Sequence, residues 1–394
     1  MTQEPTEADA RREHEKGMAK FRDAAKQLGV DKLRDGSWFR KLVAHHVKKH
    51  EAEVTSASWD TLYPGVDVEE RAGRQIAKVA RKAAAAGVLA SMGASTGELL
   101  SLVTDGLAAP IGVPAAVFSM VAEASYTALL QIDLACDLAS IYQVPFDAED
   151  IGEVSTLFGL ALEVDVKKKK EEAPEDREKA QGLTAKLMEL EDGEIAARIG
   201  KKLLEEAVMR NIIPILNVAV SARWNYVATT RLGAAVKKYV RYRKALTSSC
   251  SKLRLDHVTN AAMLVEGAWL LATVDGEANH EEVMALARIM DQLPAAKRSE
   301  ISLDTTLGDD EEGWFESLAQ MPVEMHEPLL DALYMIAATD RELEPSERRF
   351  LRRVGKALGR EIEFDRITQI CKHLNDGEDL PEGFLHPSHV HASA

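Results

Sequence analysis

Aromatic residues are scarce in this sequence and cysteines nearly absent. Phe, Trp and Tyr make up 5% of the chain, which argues against a β-sandwich, because strands select aromatic and β-branched side chains. Cys136, Cys250 and Cys371 lie far apart and form no CxxC pair. That argues against a zinc ribbon or a disulfide framework and suits a reducing cytoplasm. There is no G-x-S-x-G, no P-loop, no dinucleotide fingerprint and no H-E-x-x-H. The first residues, Met1 to Asp9, are polar and acidic, without a basic or apolar region of the secretory kind, so a cytoplasmic location is expected.

What is present favours helices. Ala, Leu, Glu, Lys and Arg dominate, and the 46% hydrophobic content of 394 residues supplies a sizeable core. The expected fold class is all-α, in two domains. A charged segment 1–34 precedes a helical domain 35–245 with a linker-like insert at 164–182. A helical bundle 246–375 follows, then a His-containing tail 376–394.

The first domain is organised around residues 83–142, rich in Ala, Gly, Val and Leu. Its uncharged runs are short: fifteen residues separate Lys82 from Glu98, and seventeen, broken by Pro110 and Pro114, separate Asp105 from Glu123. A membrane span needs roughly 20 apolar residues. The block therefore reads as a helical core, or as a hairpin entering a bilayer partway. Asp133 and Asp137 are one helical turn apart, either a carboxylate pair for catalysis or a polar network. His45, His46 and His50 share one amphipathic helix, without the further ligands a zinc site needs.

Between 207 and 255 the chain has no acid and ten bases. Aromatic rings are interleaved with them: Arg223, Trp224, Tyr226, Arg231, Lys237, Lys238, Tyr239, Arg241, Tyr242, Arg243 and Lys244. This mixture fits the interface of an anionic membrane. Nucleic acid uses the same residue types, but apolar elements close by in sequence favour lipid. The bland alternative is a helix whose bases pair with acids elsewhere.

Ile199-Gly200-Lys201, then Ile213-Pro214-Ile215, then Asn225 eleven residues after the proline, resembles the EcsC family over about 35–245. The Gly-rich block ending in Gln131, Asp133 and Ile141-Tyr142 is similar too. Where that family carries Gly-x-x-x-Gly, this chain has Asn217 and Ser221. The resemblance implies membrane association beside an ABC transporter and no defined chemistry.

The last third contains a repeat. Residues 264–290 recur as 329–356, so that Asp275, Glu277 and Glu282 reappear 65 residues on as Asp340, Glu342 and Glu347. Each copy reads as an apolar helix, an acidic loop and a second helix. This resembles the TerB family of tellurite-resistance proteins over about 255–375, which implies an acidic helical bundle binding a divalent cation through those six residues. Oxygen ligands suit Ca2+ or Mg2+. Arg341 replaces Gly276 in the second loop. The competing reading is helix capping, since Asn279 and Glu344 each precede a glutamate by three residues.

The expected function is a non-enzymatic, peripheral membrane protein. Its basic–aromatic segment would meet anionic lipid, and its acidic domain a cation or basic partner, in an envelope- or metal-stress system. A soluble adaptor and a carboxylate-dependent hydrolase or lipid-modifying enzyme are the alternatives.

Overall fold

The computed structural model describes residues 50, 54, 56–93, 115–144, 217–276, 278, 280–299, 301, 310–339 and 343–385. The segment 1–34, His45 and His46, Pro110 and Pro114, the insert 164–182, residues 199–215 and the last nine positions, 386–394, lie outside these. The fold is all-α: among the described residues the regular elements are helices, with no strand. The chain divides into two compact units, Met1–Tyr239 and Val240–Ala394. The sequence reading put the boundary between 245 and 246.

The first unit opens with α1 (Ser56–Leu62) and a turn at Tyr63-Pro64-Gly65, where Gly65 takes a φ of 71° that side-chain-bearing residues avoid. Helix α2 (Val68–Gly93) follows. Asp67 Oδ1 accepts from the Glu70 amide at 3.0 Å, and Glu69 and Glu70 put negative charge on the first turn, which the helix dipole favours. Helix α3 (Ala115–Tyr142) is apolar around its circumference. From Thr127 to Tyr142 nearly every side chain is buried, including Leu130, Ile132, Leu134, Leu138 and Ile141. A helix hydrophobic on all sides is a core helix. It stops at Gln143, in the left-handed conformation at φ 58°, with the Val144 amide donating to Ala139 O at 2.9 Å.

Helix α3 packs mainly on α2. The N-terminal part of α4 (Asn217–Cys250) joins them. Gly233 permits this approach: a Cβ there would stand 2.8 Å from Ile76 Cγ1 and 3.2 Å from Leu134 Cδ2. Asn225, buried on α4, donates to Ala83 O at 3.3 Å. Within the apolar block, Ala83 and most of residues 127–142 are thus core. No described helix is long and apolar enough to cross a membrane.

In the second unit the end of α4 leads to α5 (Ala261–Ala272), α6 (His280–Gln292), α7 (Ala295–Arg298) and α8 (Glu311–Leu318). A 3-10 turn (Val323–Met325), α9 (His326–Ala337), α10 (Pro345–Leu358) and α11 (Phe364–Asp376) complete it. The 65-residue repeat is visible in the backbone. Helix α5 corresponds to α9 at both ends, and α6 starts where α10 does. The helix ends match too, Thr273 donating to Trp269 O and Ala338 to Tyr334 O, both at 3.0 Å. Helices α5 and α9 form the centre, with Leu264, Leu271, Leu329, Leu333 and Ile336 sealed from solvent. Each such side chain contributes about 1.5–3 kcal/mol. The other helices pack around this pair.

Candidate functional site

Helix α4 sorts its own side chains. Leu232, Gly233, Val236 and Tyr239 face inward with the buried Asn225 and Thr229. Arg223, Tyr226, Val227, Arg231, Ala234 and Lys238 are exposed and recur at three- to four-residue steps, which places them on one face. Tyr226 and Val227 are large apolar groups left 40% and 37% open to solvent. Trp224 lies on the same helix.

The other members of the sequence-derived set have different surroundings. Lys237 pairs with Glu69 at 2.5 Å, and Glu69 also accepts from the Tyr142 hydroxyl at 2.7 Å. Arg241 donates to Asp376 O at 2.7 Å, and the buried Tyr242 hydroxyl to Thr339 O at 3.1 Å. Tyr239 and Arg243 are buried, whereas Lys244 is exposed. Spacing along the sequence did not separate the two sides, because Tyr and Arg carry enough apolar surface to serve either.

Of the six acids in the two repeat loops, Glu277, Asp340 and Glu342 lie outside the described residues. Asp275 is exposed. Glu282 and Glu347, equivalent in the repeat, are both buried. Glu347 Oε2 accepts from the Glu344 amide at 2.7 Å and closes a capping box at the start of α10. Among the described residues no group of three or more His, Cys, Asp or Glu side chains is placed to hold a metal ion.

Asp137 is a buried carboxylate with both oxygens engaged. Gln75 Nε2 donates to its Oδ2 at 2.6 Å, and His50 Nε2 lies 2.9 Å from its Oδ1. One turn on, Ser140 Oγ accepts from Trp59 Nε1 at 3.0 Å. Burial pushes the nearby Tyr63 phenol up, with Arg74 opposing and Asp137 adding. Asp133, one turn before Asp137, is half-buried. Both Asp137 oxygens are thus occupied by links between α3, α2 and His50. Cys250 is quiet as a nucleophile, burial pushing its thiol up to about 12.

Residues 301–347 carry thirteen acids against Arg341 alone, and bases follow directly after them. Arg353 reaches Glu311 and Glu312, Arg360 pairs with Glu327 at 2.7 Å, and Arg366 with Asp331 at 2.8 Å. Four acids of the window are thus met by arginines that follow it. Arginines spaced at helical intervals after Glu347 were the available signal. Arg360, Glu327, Tyr334 and Phe364 also line an open cleft of about 910 Å³ in this unit.

No family model, no curated protein and no solved structure matches the chain.

Proposed function

We propose that the chain is a non-enzymatic, peripheral membrane protein that meets anionic lipid through the exposed face of α4. The observation that carries this reading is that face: Arg223, Arg231 and Lys238 flank the exposed Tyr226 and Val227, with no acid anywhere on the helix. Bases hold to anionic headgroups, and a ring with a polar tip sits at headgroup level. The EcsC and TerB resemblances add a setting, the inner face of the cytoplasmic membrane in a stress or ABC-transporter system. A divalent cation, Ca2+ or Mg2+, at the repeat loops stays part of the proposal, weakened by Glu347 serving a helix cap and by the burial of its repeat equivalent Glu282.

Flotation of the full chain with phosphatidylcholine vesicles, with and without phosphatidylglycerol, tests the proposal. Binding should require the anionic lipid and weaken in salt. A juxtamembrane base contributes about 1 kcal/mol, so Arg223→Glu, Arg231→Glu and Lys238→Glu together should lower binding by about a hundredfold or more. A chain that stays with the supernatant at low salt overturns the reading.

Burial of α3 favours a second reading, a soluble adaptor whose apolar block is core throughout. Hydrogen exchange across residues 127–142 separates the two. Unchanged protection on adding anionic vesicles, with no flotation, is the adaptor result.

A further inference from the structure

We propose that the exposed face of α10 is a docking surface for an acidic segment of a protein partner. This helix turns Phe350, Leu351, Val354 and Leu358 into the core of the second unit. On its other side Arg349, Arg352, Arg353 and Lys356 are exposed at i, i+3, i+4 and i+7, one continuous stripe.

Carboxylates cover the stripe at one position, Arg353. Arg353 is met by α8, whose adjacent Glu311 and Glu312 both accept from its guanidinium. The Phe315 ring lies under the same group, 4.1 Å from centroid to Cζ. The chain therefore contains its own example of what such an arginine accepts: paired carboxylates followed by an aromatic ring. The rest of the stripe has no such cover. Arg348 and Arg352 stand over the Phe364 ring at 5.3 and 5.5 Å, held by an aromatic face instead of a carboxylate. Arg349 and Lys356 make no ion pair among the described residues.

Charge and shape select the occupant. A guanidinium laid on a ring keeps its N–H fork free for bidentate contact with a carboxylate. The α10 face has no large exposed apolar side chain, unlike α4 with Tyr226 and Val227, so it lacks the group that would enter a lipid interface. A segment with neighbouring Asp or Glu residues and an aromatic, like α8 itself, fits both the bases and the rings.

The test uses the full chain and a fluorescent synthetic peptide of Glu-Glu pairs separated by Phe, with a Lys-for-Glu peptide as control. Anisotropy at low salt should show binding of the acidic peptide alone. Arg349→Glu, Arg352→Glu and Lys356→Glu together should weaken it at least about tenfold, with the melting curve of the variant recorded alongside to show that it stays folded. Arg231→Glu with Lys238→Glu, on α4, should leave it unchanged. Equal binding by wild type and the α10 variant overturns the proposal, as does no binding at low salt. A preference for anionic vesicles over the peptide, lost in the α10 variant, overturns it in favour of lipid.

Discussion

Arg366 donates to the carboxylate of Asp331 at 2.8 Å, and both side chains are almost sealed from water. Burial pushes the Asp331 carboxyl up to about 8, with Arg366 pulling it down and Glu327 and Glu363 adding to the rise. The folded chain then holds that proton more tightly than the unfolded chain, whose value is near the ordinary 3.8. Between those two values the contribution of this group to stability falls as pH rises. Asp331→Asn keeps an acceptor for Arg366 and removes the titration. The wild type should lose more melting temperature than the variant between about pH 5 and about pH 9. Parallel losses would assign the pH dependence elsewhere.

Gly267 of α5 lies against the Trp314 ring, and a Cβ there would run into it. The ring has little room to yield. Its Nε1 donates to Met263 O at 3.0 Å, and it stacks on Phe350 with centroids 5.6 Å apart. The repeat places a buried Ala332 at the equivalent position in α9. Gly267→Ala should therefore cost about 1–3 kcal/mol, although alanine favours a helix by about 1 kcal/mol. Urea unfolding measures this, and a neutral or stabilising result would show that Trp314 can shift.

Glu347 caps α10 through the Glu344 amide. Glu347→Gln retains an acceptor for that amide, and Glu347→Ala does not. The alanine variant should lose about 0.5–2 kcal/mol and the glutamine variant less, read from thermal melts. The wild-type melt in millimolar Ca2+ or Mg2+ tests the cation at the repeat loops. A rise with either ion, absent from both variants, would support the cation reading, and an unchanged melt would count against it.

Asp137 joins α3 to Gln75 of α2 and to His50. Asp137→Ala leaves the Gln75 amide without that acceptor, and a cost of about 1–3 kcal/mol is expected. A double-mutant cycle with Gln75→Ala should show positive coupling, as it does for residues in direct contact. Strict additivity would mean that the 2.6 Å contact carries no stability. Hydrolysis of an ester or phospholipid substrate, lost in Asp137→Asn with the melt preserved, would favour the enzymatic alternative.

The repeat was the most legible part of the sequence, because apolar periodicity and the acidic loop recur at one offset. Of the apolar positions that the repeat marks for packing, Leu270, Leu271, Leu286, Ile289, Leu333, Tyr334, Ile336, Leu351 and Val354 are core, and Trp269 is half-buried. The basic stretch was legible only as composition. An uninterrupted run of bases does not say which of them faces inward, and Arg243 and Tyr242 look like Arg231 and Tyr226 until the helix is placed against its neighbours. The α10 stripe escaped for a related reason. Its charge is nearly cancelled in any long window by the acids before it, and only helical spacing separates Arg349, Arg352 and Lys356 from the bases already paired.

That sorting decides how the membrane reading must be tested. Lys237, Lys238, Arg241 and Arg243 are consecutive bases and an obvious set to reverse. Lys237 is paired with Glu69, Arg241 holds the Asp376 carbonyl and Arg243 is buried. Arg243→Glu would put a negative charge in a closed site and should destabilise the fold by several kcal/mol. It would reduce flotation through unfolding alone. Arg231→Glu and Lys238→Glu change exposed groups, and surface substitutions of this kind stay within about 0.5 kcal/mol. The two classes should therefore separate: Arg243→Glu should lower the melting temperature and flotation together, whereas the Arg231 and Lys238 pair should lower flotation at an unchanged melt. If only the destabilised variant loses its vesicles, binding needs the folded chain but not the exposed bases of α4, and the α4 reading fails.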